Sequence, residues 1–92
     1  MLGMNEHLSL KDVILNTDYY GEGYACIGDR EREAIVLLAR HEGILLDPVY
    51  TGRAMGGLID LIRSKQITSL DNILFWHTGG VPALFAYVDH VV

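Results

Sequence analysis

The stretch Glu42-Gly43-Ile44-Leu45-Leu46-Asp47-Pro48-Val49-Tyr50-Thr51-Gly52-Arg53-Ala54 constrains this chain most. Three successive aliphatic residues are too few for a helix and read as a strand buried on both faces. Pro48 closes it, because proline cannot donate a ladder hydrogen bond. A polar, glycine-bearing turn then opens onto an amphipathic pattern from about Ala54 to Ser64. In open α/β proteins such a strand-to-helix edge faces a crevice where small ligands sit. The same design recurs from Ile73 to Ala83, around His77-Thr78-Gly79-Gly80. Two such edges in one short chain predict a pocket, or part of one.

The rest of the chain extends that pattern. Val13-Ile14-Leu15 is a brief apolar run bounded by polar residues, hence a third buried strand. Residues 17–28 are dense in Gly and Tyr and read as a loop that touches something. Asp29 is the expected N-cap of a helix with Ala34, Ile35, Leu38 and Ala39 on one face, and Gly43 its stop. Pro82 suits the first turn of a last helix over Val81–Tyr87. Strands alternating with helices predict an α/β architecture: a small three-layer fragment with a short parallel sheet and flanking helices. The whole chain, 1–92, is expected to form one domain, with 1–12 as an arm.

Composition narrows the function classes. The 92 residues are half hydrophobic and carry a formal net charge of −5. Such an apolar short chain needs its surface covered by a partner, either a second copy in a homo-oligomer such as a dimer or another polypeptide. Basic residues are scattered, which argues against nucleic acid. No apolar run approaches a bilayer span, so no membrane partner is expected. The single cysteine, Cys26, suits a reducing compartment, and a cytoplasmic protein is expected. His7, His41, His77 and His90 show no ligand spacing, so no metal site is expected.

Each polar residue at the two edges has a bland alternative. Thr51 can hydrogen-bond a ring nitrogen or an anion, or serve as an N-cap. Tyr50 can offer a phenol to a ligand, or pack half-buried at a strand end. The Thr78-Gly79-Gly80 turn can cradle a ring or an anion, or be turn chemistry alone. It lacks the lysine and extended glycine spacing of nucleotide-phosphate loops.

Taken together, Gly23-Tyr24, Leu37-Leu38-Ala39-Arg40-His41-Glu42-Gly43, the block from Ile44 to Met55, Gly57-Leu58-Ile59-Asp60 and the run from His77 to Tyr87 resemble the C-terminal end of the D-cysteine desulfhydrase and 1-aminocyclopropane-1-carboxylate deaminase family. These are fold-type II pyridoxal-phosphate enzymes, and the resemblance runs from about Val13 onward. It implies that this chain is part of the large domain of such an enzyme. Thr51 would face the cofactor's pyridine nitrogen, as in the desulfhydrase branch, since deaminases carry a glutamate there. Tyr24 and Tyr50 would approach the substrate, and Thr78 with Gly79 would line the ring side of the pocket. A neutral hydroxyl on the ring nitrogen suits β-elimination from a small amino acid.

The sequence also departs from the family. The Schiff-base lysine and phosphate loop lie in family sequence that has no counterpart here, and neither Lys11 nor Lys65 falls in a matching motif. Arg53 replaces the usual lysine after Thr-Gly, and Ala25-Cys26-Ile27 replaces a glycine- and proline-bearing run. The expectation is therefore a lyase portion that binds no pyridoxal phosphate and is inactive alone, completed by a lysine-bearing half. The alternative is a non-catalytic truncated homologue folding as a homo-oligomeric module.

Overall fold

A computed structural model describes residues 8–91. Among them there is no strand; the architecture is all-helical, and the expected α/β fragment with its parallel sheet is not formed. A 3-10 turn at Leu10–Asp12 precedes α1 (Asp29–Glu42), α2 (Thr51–Arg63), α3 (Val81–Ala86) and α4 (Val88–Val91). Residues 1–7 of the expected arm, His7 included, lie outside the described residues. The 3-10 turn holds the remainder, through Ser9 N–H donating to Asp12 Oδ2 at 2.7 Å.

The three expected strands fail for a shared reason. A strand needs a second backbone to satisfy its N–H and C=O groups, and these runs find none. Ile14 and Leu15 are 90% and 85% exposed, Leu74 is 85% exposed, and of Ile44, Leu45 and Leu46 only Leu46 is buried. The 44–47 and 73–80 segments do approach each other, but the link is a side chain: His77 Nε2 lies 2.8 Å from Leu45 O.

The helices follow local chemistry closely. The N-cap of α1 is Gly28, one residue before the expected Asp29, because Glu31 Oε2 reaches back to accept the Gly28 N–H at 2.8 Å. Gly43 ends α1 with φ 65° and ψ 23°, a left-handed turn that glycine adopts without a Cβ penalty. Pro82 stands in the first turn of α3, as its fixed φ favours.

α1 and α2 pack directly on each other. Ala34 and Ile35 of α1 and Leu46 form the buried core, with Leu38, Met55, Ile59, Phe75 and Leu84 packed around it. Gly56 allows this approach, since a Cβ there would fall 2.7 Å from Arg30 Cγ, while Gly57 admits the 17–28 loop, a Cβ there falling 3.0 Å from the Tyr19 ring. This core is small for the chain. The radius of gyration is 15.0 Å, whereas a compact chain of this length has one of about 12 Å.

Candidate functional site

α2 begins three residues before the periodicity predicts, and Asp47 is the cause. Its carboxylate is fully buried. Oδ2 accepts the N–H groups of Val49 at 2.8 Å and Tyr50 at 2.7 Å. Oδ1 accepts the Thr51 N–H at 2.9 Å and the Thr51 hydroxyl at 2.6 Å. In return Thr51 Oγ1 accepts the Asp47 N–H at 2.8 Å. The first turn of a helix leaves its N–H groups unpaired, and here a carboxylate from the preceding turn takes them up. Burial opposes the Asp47 charge. The hydrogen bonds from the Thr51 hydroxyl and from the N–H groups of Thr51, Tyr50 and Val49 outweigh it and hold the carboxyl below its ordinary range.

The turn from His77 to Gly80 closes over this cap. Gly79 N–H donates to His77 Nδ1 at 3.1 Å, so Nε2 carries the proton that Leu45 O accepts. A Cβ on Gly80 would fall 2.5 Å from Asp47 Oδ1, and Gly80 sits at φ +89°. The glycine therefore lets the turn reach the buried carboxylate. That contact also speaks against an anion cradle in this turn, because its inner side already faces a negative charge.

Beside the cap lies an open cavity of about 730 Å³. Tyr24, Tyr50, Thr51 and Thr78 all line it, although they come from the 17–28 loop, the start of α2 and the 73–80 segment. Gly79 does not. Most of the wall is apolar, from Leu15, Val49, Leu58, Leu61, Phe75 and Trp76. The Tyr24 and Tyr50 hydroxyls are 3.0 Å apart and their rings meet edge to face at 6.0 Å. The bond to Tyr24 leads the influences that raise the Tyr50 phenol above its usual value, so Tyr50 stays protonated. Thr51 is almost buried; its hydroxyl proton and one lone pair are used by Asp47, and one lone pair remains.

Three residues that the sequence did not mark as functional shape this cavity. Tyr19 lines it and is fixed by its hydroxyl donating to Asp60 Oδ2 at 2.7 Å, with the Arg30 guanidinium 4.8 Å above its ring. Arg53 also lines it, yet its guanidinium is spent elsewhere, on Glu31 Oε1 at 3.0 Å and on the carbonyls of Gly23 and Cys26. Asp47 organises the floor without lining it. Their sequence signals were indirect: Tyr19 falls in the aromatic loop, Arg53 departs from the family pattern, and Asp47 is an acidic residue four positions before the hydroxyl at a helix start.

Among the described residues no group of three or more His, Cys, Asp or Glu is placed to hold a metal ion, and no helix is long and apolar enough to cross a membrane. No family model matches the chain.

Proposed function

We propose that this chain is the C-terminal portion of a pyridoxal-phosphate-dependent, D-cysteine desulfhydrase-like lyase, which supplies one wall of the active site and is inactive alone. The observation that supports this most is the convergence of Tyr24, Tyr50, Thr51 and Thr78 on one cavity from separate parts of the chain. The motif resemblance selects these four positions together with Gly79, which does not line the cavity.

The residues present do not fit the cofactor by themselves. No lysine lines the cavity, so there is no amine to carry it covalently. The one cationic side chain in the wall, Arg53, already bonds Glu31 and two carbonyls through all three of its nitrogens, so it is not a free cation for a phosphate. The Thr51 hydroxyl donates its hydrogen bond to Asp47 and has no second one for a ring nitrogen. A second polypeptide would have to bring the amine, the phosphate cradle and the group that holds the substrate carboxylate.

The surface supports such a partner. The chain exposes 7236 Å², whereas a compact protein of its mass exposes about 5,300 Å². Part of the exposed apolar surface lies at the cavity: Leu15 and Trp76 are wall residues that remain 85% and 78% exposed. A cytoplasmic setting accompanies this proposal, since Cys26 is a free thiol. The second proposal, a non-catalytic homo-oligomeric module, draws on the same exposed residues.

The test mixes the purified chain with a separately produced lysine-bearing half of a D-cysteine desulfhydrase. Co-elution, a blue shift of Trp76 emission and sulfide release from D-cysteine by the mixture only are expected. The chain alone should give no borohydride-trapped adduct with pyridoxal phosphate. An adduct on Lys11 or Lys65 that supports turnover would overturn the proposal. A tight ligand-free dimer that ignores the added half would favour the second.

A further inference from the structure

We infer that Arg53 is a positioning residue for the cavity: its guanidinium sets the Tyr24 phenol against Tyr50 by fixing the two carbonyls that bracket the Tyr24-Ala25 turn. Arg53 Nη1 donates to Gly23 O at 3.0 Å and Nη2 to Cys26 O at 2.6 Å, while Nε donates to Glu31 Oε1 at 3.0 Å. All three nitrogens are used, each on a different partner, in the fixed fork that only an arginine presents.

The loop needs such a hold. Its local closure is a single bond, Cys26 N–H to Gly23 O at 3.3 Å. Within the turn Ala25 sits at φ 59°, a left-handed conformation that is strained for a residue with a Cβ. Tyr24 is largely exposed and contributes little burial of its own to keep it in place. The guanidinium thus offsets local strain and fixes the one turn whose side chain reaches Tyr50. Glu31 holds the guanidinium in turn. Burial opposes the Glu31 charge, and hydrogen bonds from its own backbone N–H, Arg53 and the Gly28 N–H overcome it, so its carboxyl stays ionised beside Arg53. The ion pair is almost buried, with side-chain exposures of 15% for Arg53 and 6% for Glu31, and it anchors the fork to the N-terminal turn of α1.

Arg53 follows Tyr50 and Thr51 on α2, so one helix start carries both a wall of the cavity and the clamp that brings in the opposite wall. Arg53 shapes the cavity in this way whatever ligand or partner the cavity takes.

The test is NMR on the full 92-residue chain, unmodified and with Arg53→Lys, which keeps a charge for Glu31 but lacks the fork. The unmodified chain should show ring-to-ring cross-relaxation between Tyr24 and Tyr50. Arg53→Lys should lose that signal under conditions where its far-ultraviolet circular dichroism still reports intact helices. Arg63→Lys, which changes the equivalent group in the exposed pair with Glu33, should keep it. A purely stabilising role for Arg53 would lower the melting temperature while leaving the Tyr24–Tyr50 signal intact in the folded fraction, and that result overturns the inference. Should Arg53→Lys not fold, the unmodified chain decides: its Arg53 Nη–H protons must exchange more slowly than those of Arg40, and equal exchange sinks the idea.

Discussion

Asp47 and Thr51 bond to each other in both directions, the Asp47 N–H reaching Thr51 Oγ1 while the Thr51 N–H and hydroxyl both reach Asp47 Oδ1. The pair welds the end of the 43–47 segment to the start of α2. With Tyr50 lying between them in sequence, it also fixes the direction in which the Tyr50 phenol enters the cavity. A hydroxyl at this position is therefore first a structural group, and only its remaining lone pair is available to anything in the cavity.

Asp47→Asn should be strongly destabilising. The amide nitrogen that replaces one carboxylate oxygen would face N–H donors, and the loss of charged acceptors with burial of unpaired donors is expected to cost roughly 3 kcal/mol. Thr51→Val should cost about 1–2 kcal/mol by leaving the Asp47 N–H unpaired, whereas Thr51→Ser keeps every bond and should cost about 1 kcal/mol or less for its lost methyl. Urea unfolding followed by circular dichroism measures all three. A double-mutant cycle on Asp47 and Thr51 should give a coupling well away from zero, and simple additivity would show that the reciprocal bonding is not there.

Acid should unfold the chain through these same carboxyls. Asp47 and Glu31 are both held below their ordinary values in the folded state, so the unfolded chain binds more protons in the acid range. Their contribution is present in full above the unfolded carboxyl range, near pH 4, and is lost as pH falls through the lower folded values. Urea midpoints should be flat from neutrality down to that range and then drop. In Asp47→Asn the drop should be shallower; an acid slope unchanged from the unmodified chain would mean that Asp47 is not the titrating group.

The sequence made some levels of this structure legible and hid others. α1 and its Gly43 stop could be read because a helix and its caps are local, and Pro82 marked α3 for the same reason. The two turns that carry Thr51 and Thr78 suggested a pocket from the sequence, but only a family resemblance joined Tyr24 to Tyr50, Thr51 and Thr78, since nothing in their spacing links residues so far apart. The strands misled because a run such as Val13-Ile14-Leu15 specifies apolar surface, not its partner; without a second backbone it stays uncovered. Arg53 and Ala25-Cys26-Ile27 stood out separately as departures from that family, and the Arg53 bond to Cys26 O joins them in space. Composition cannot reveal such a contact.

Two glycines of α2 should respond differently to alanine. At Gly52 the added Cβ would meet the backbone oxygen of Asp47 at 2.5 Å, and that oxygen is already held by the Gly52 N–H at 2.7 Å, so nothing can yield. At Gly57 the neighbour is the Tyr19 ring at 3.0 Å, a side chain able to shift. Alanine gains about 1 kcal/mol of helix propensity at either place, while overpacking costs about 1–3 kcal/mol. Gly52→Ala should thus be clearly destabilising and Gly57→Ala distinctly less so. Gly57→Ala should still disturb the Tyr19 hydroxyl bond to Asp60, visible as a lower alkaline titration of Tyr19, whose phenol that bond raises above its usual value. Equal losses at the two sites would contradict the geometry.

His77→Ala tests whether the 73–80 segment is held to the cavity by its side chain. The ring is exposed and makes two neutral bonds, to Leu45 O and from the Gly79 N–H, so global stability should fall by only about 0.5–1.5 kcal/mol. The local effect should be larger. Between Leu45 and Gly79 no other hydrogen bond ties the two segments, and the Gly79 N–H has only the ring nitrogen as acceptor. Amide exchange at Gly79 should accelerate to the rate of an open loop in the variant, while the Thr51 N–H, held by Asp47, keeps its protection. Loss of protection at both amides together would mean that the turn and the helix cap unfold as one unit, and that His77 supports the Asp47 cap rather than only placing Thr78 at the cavity.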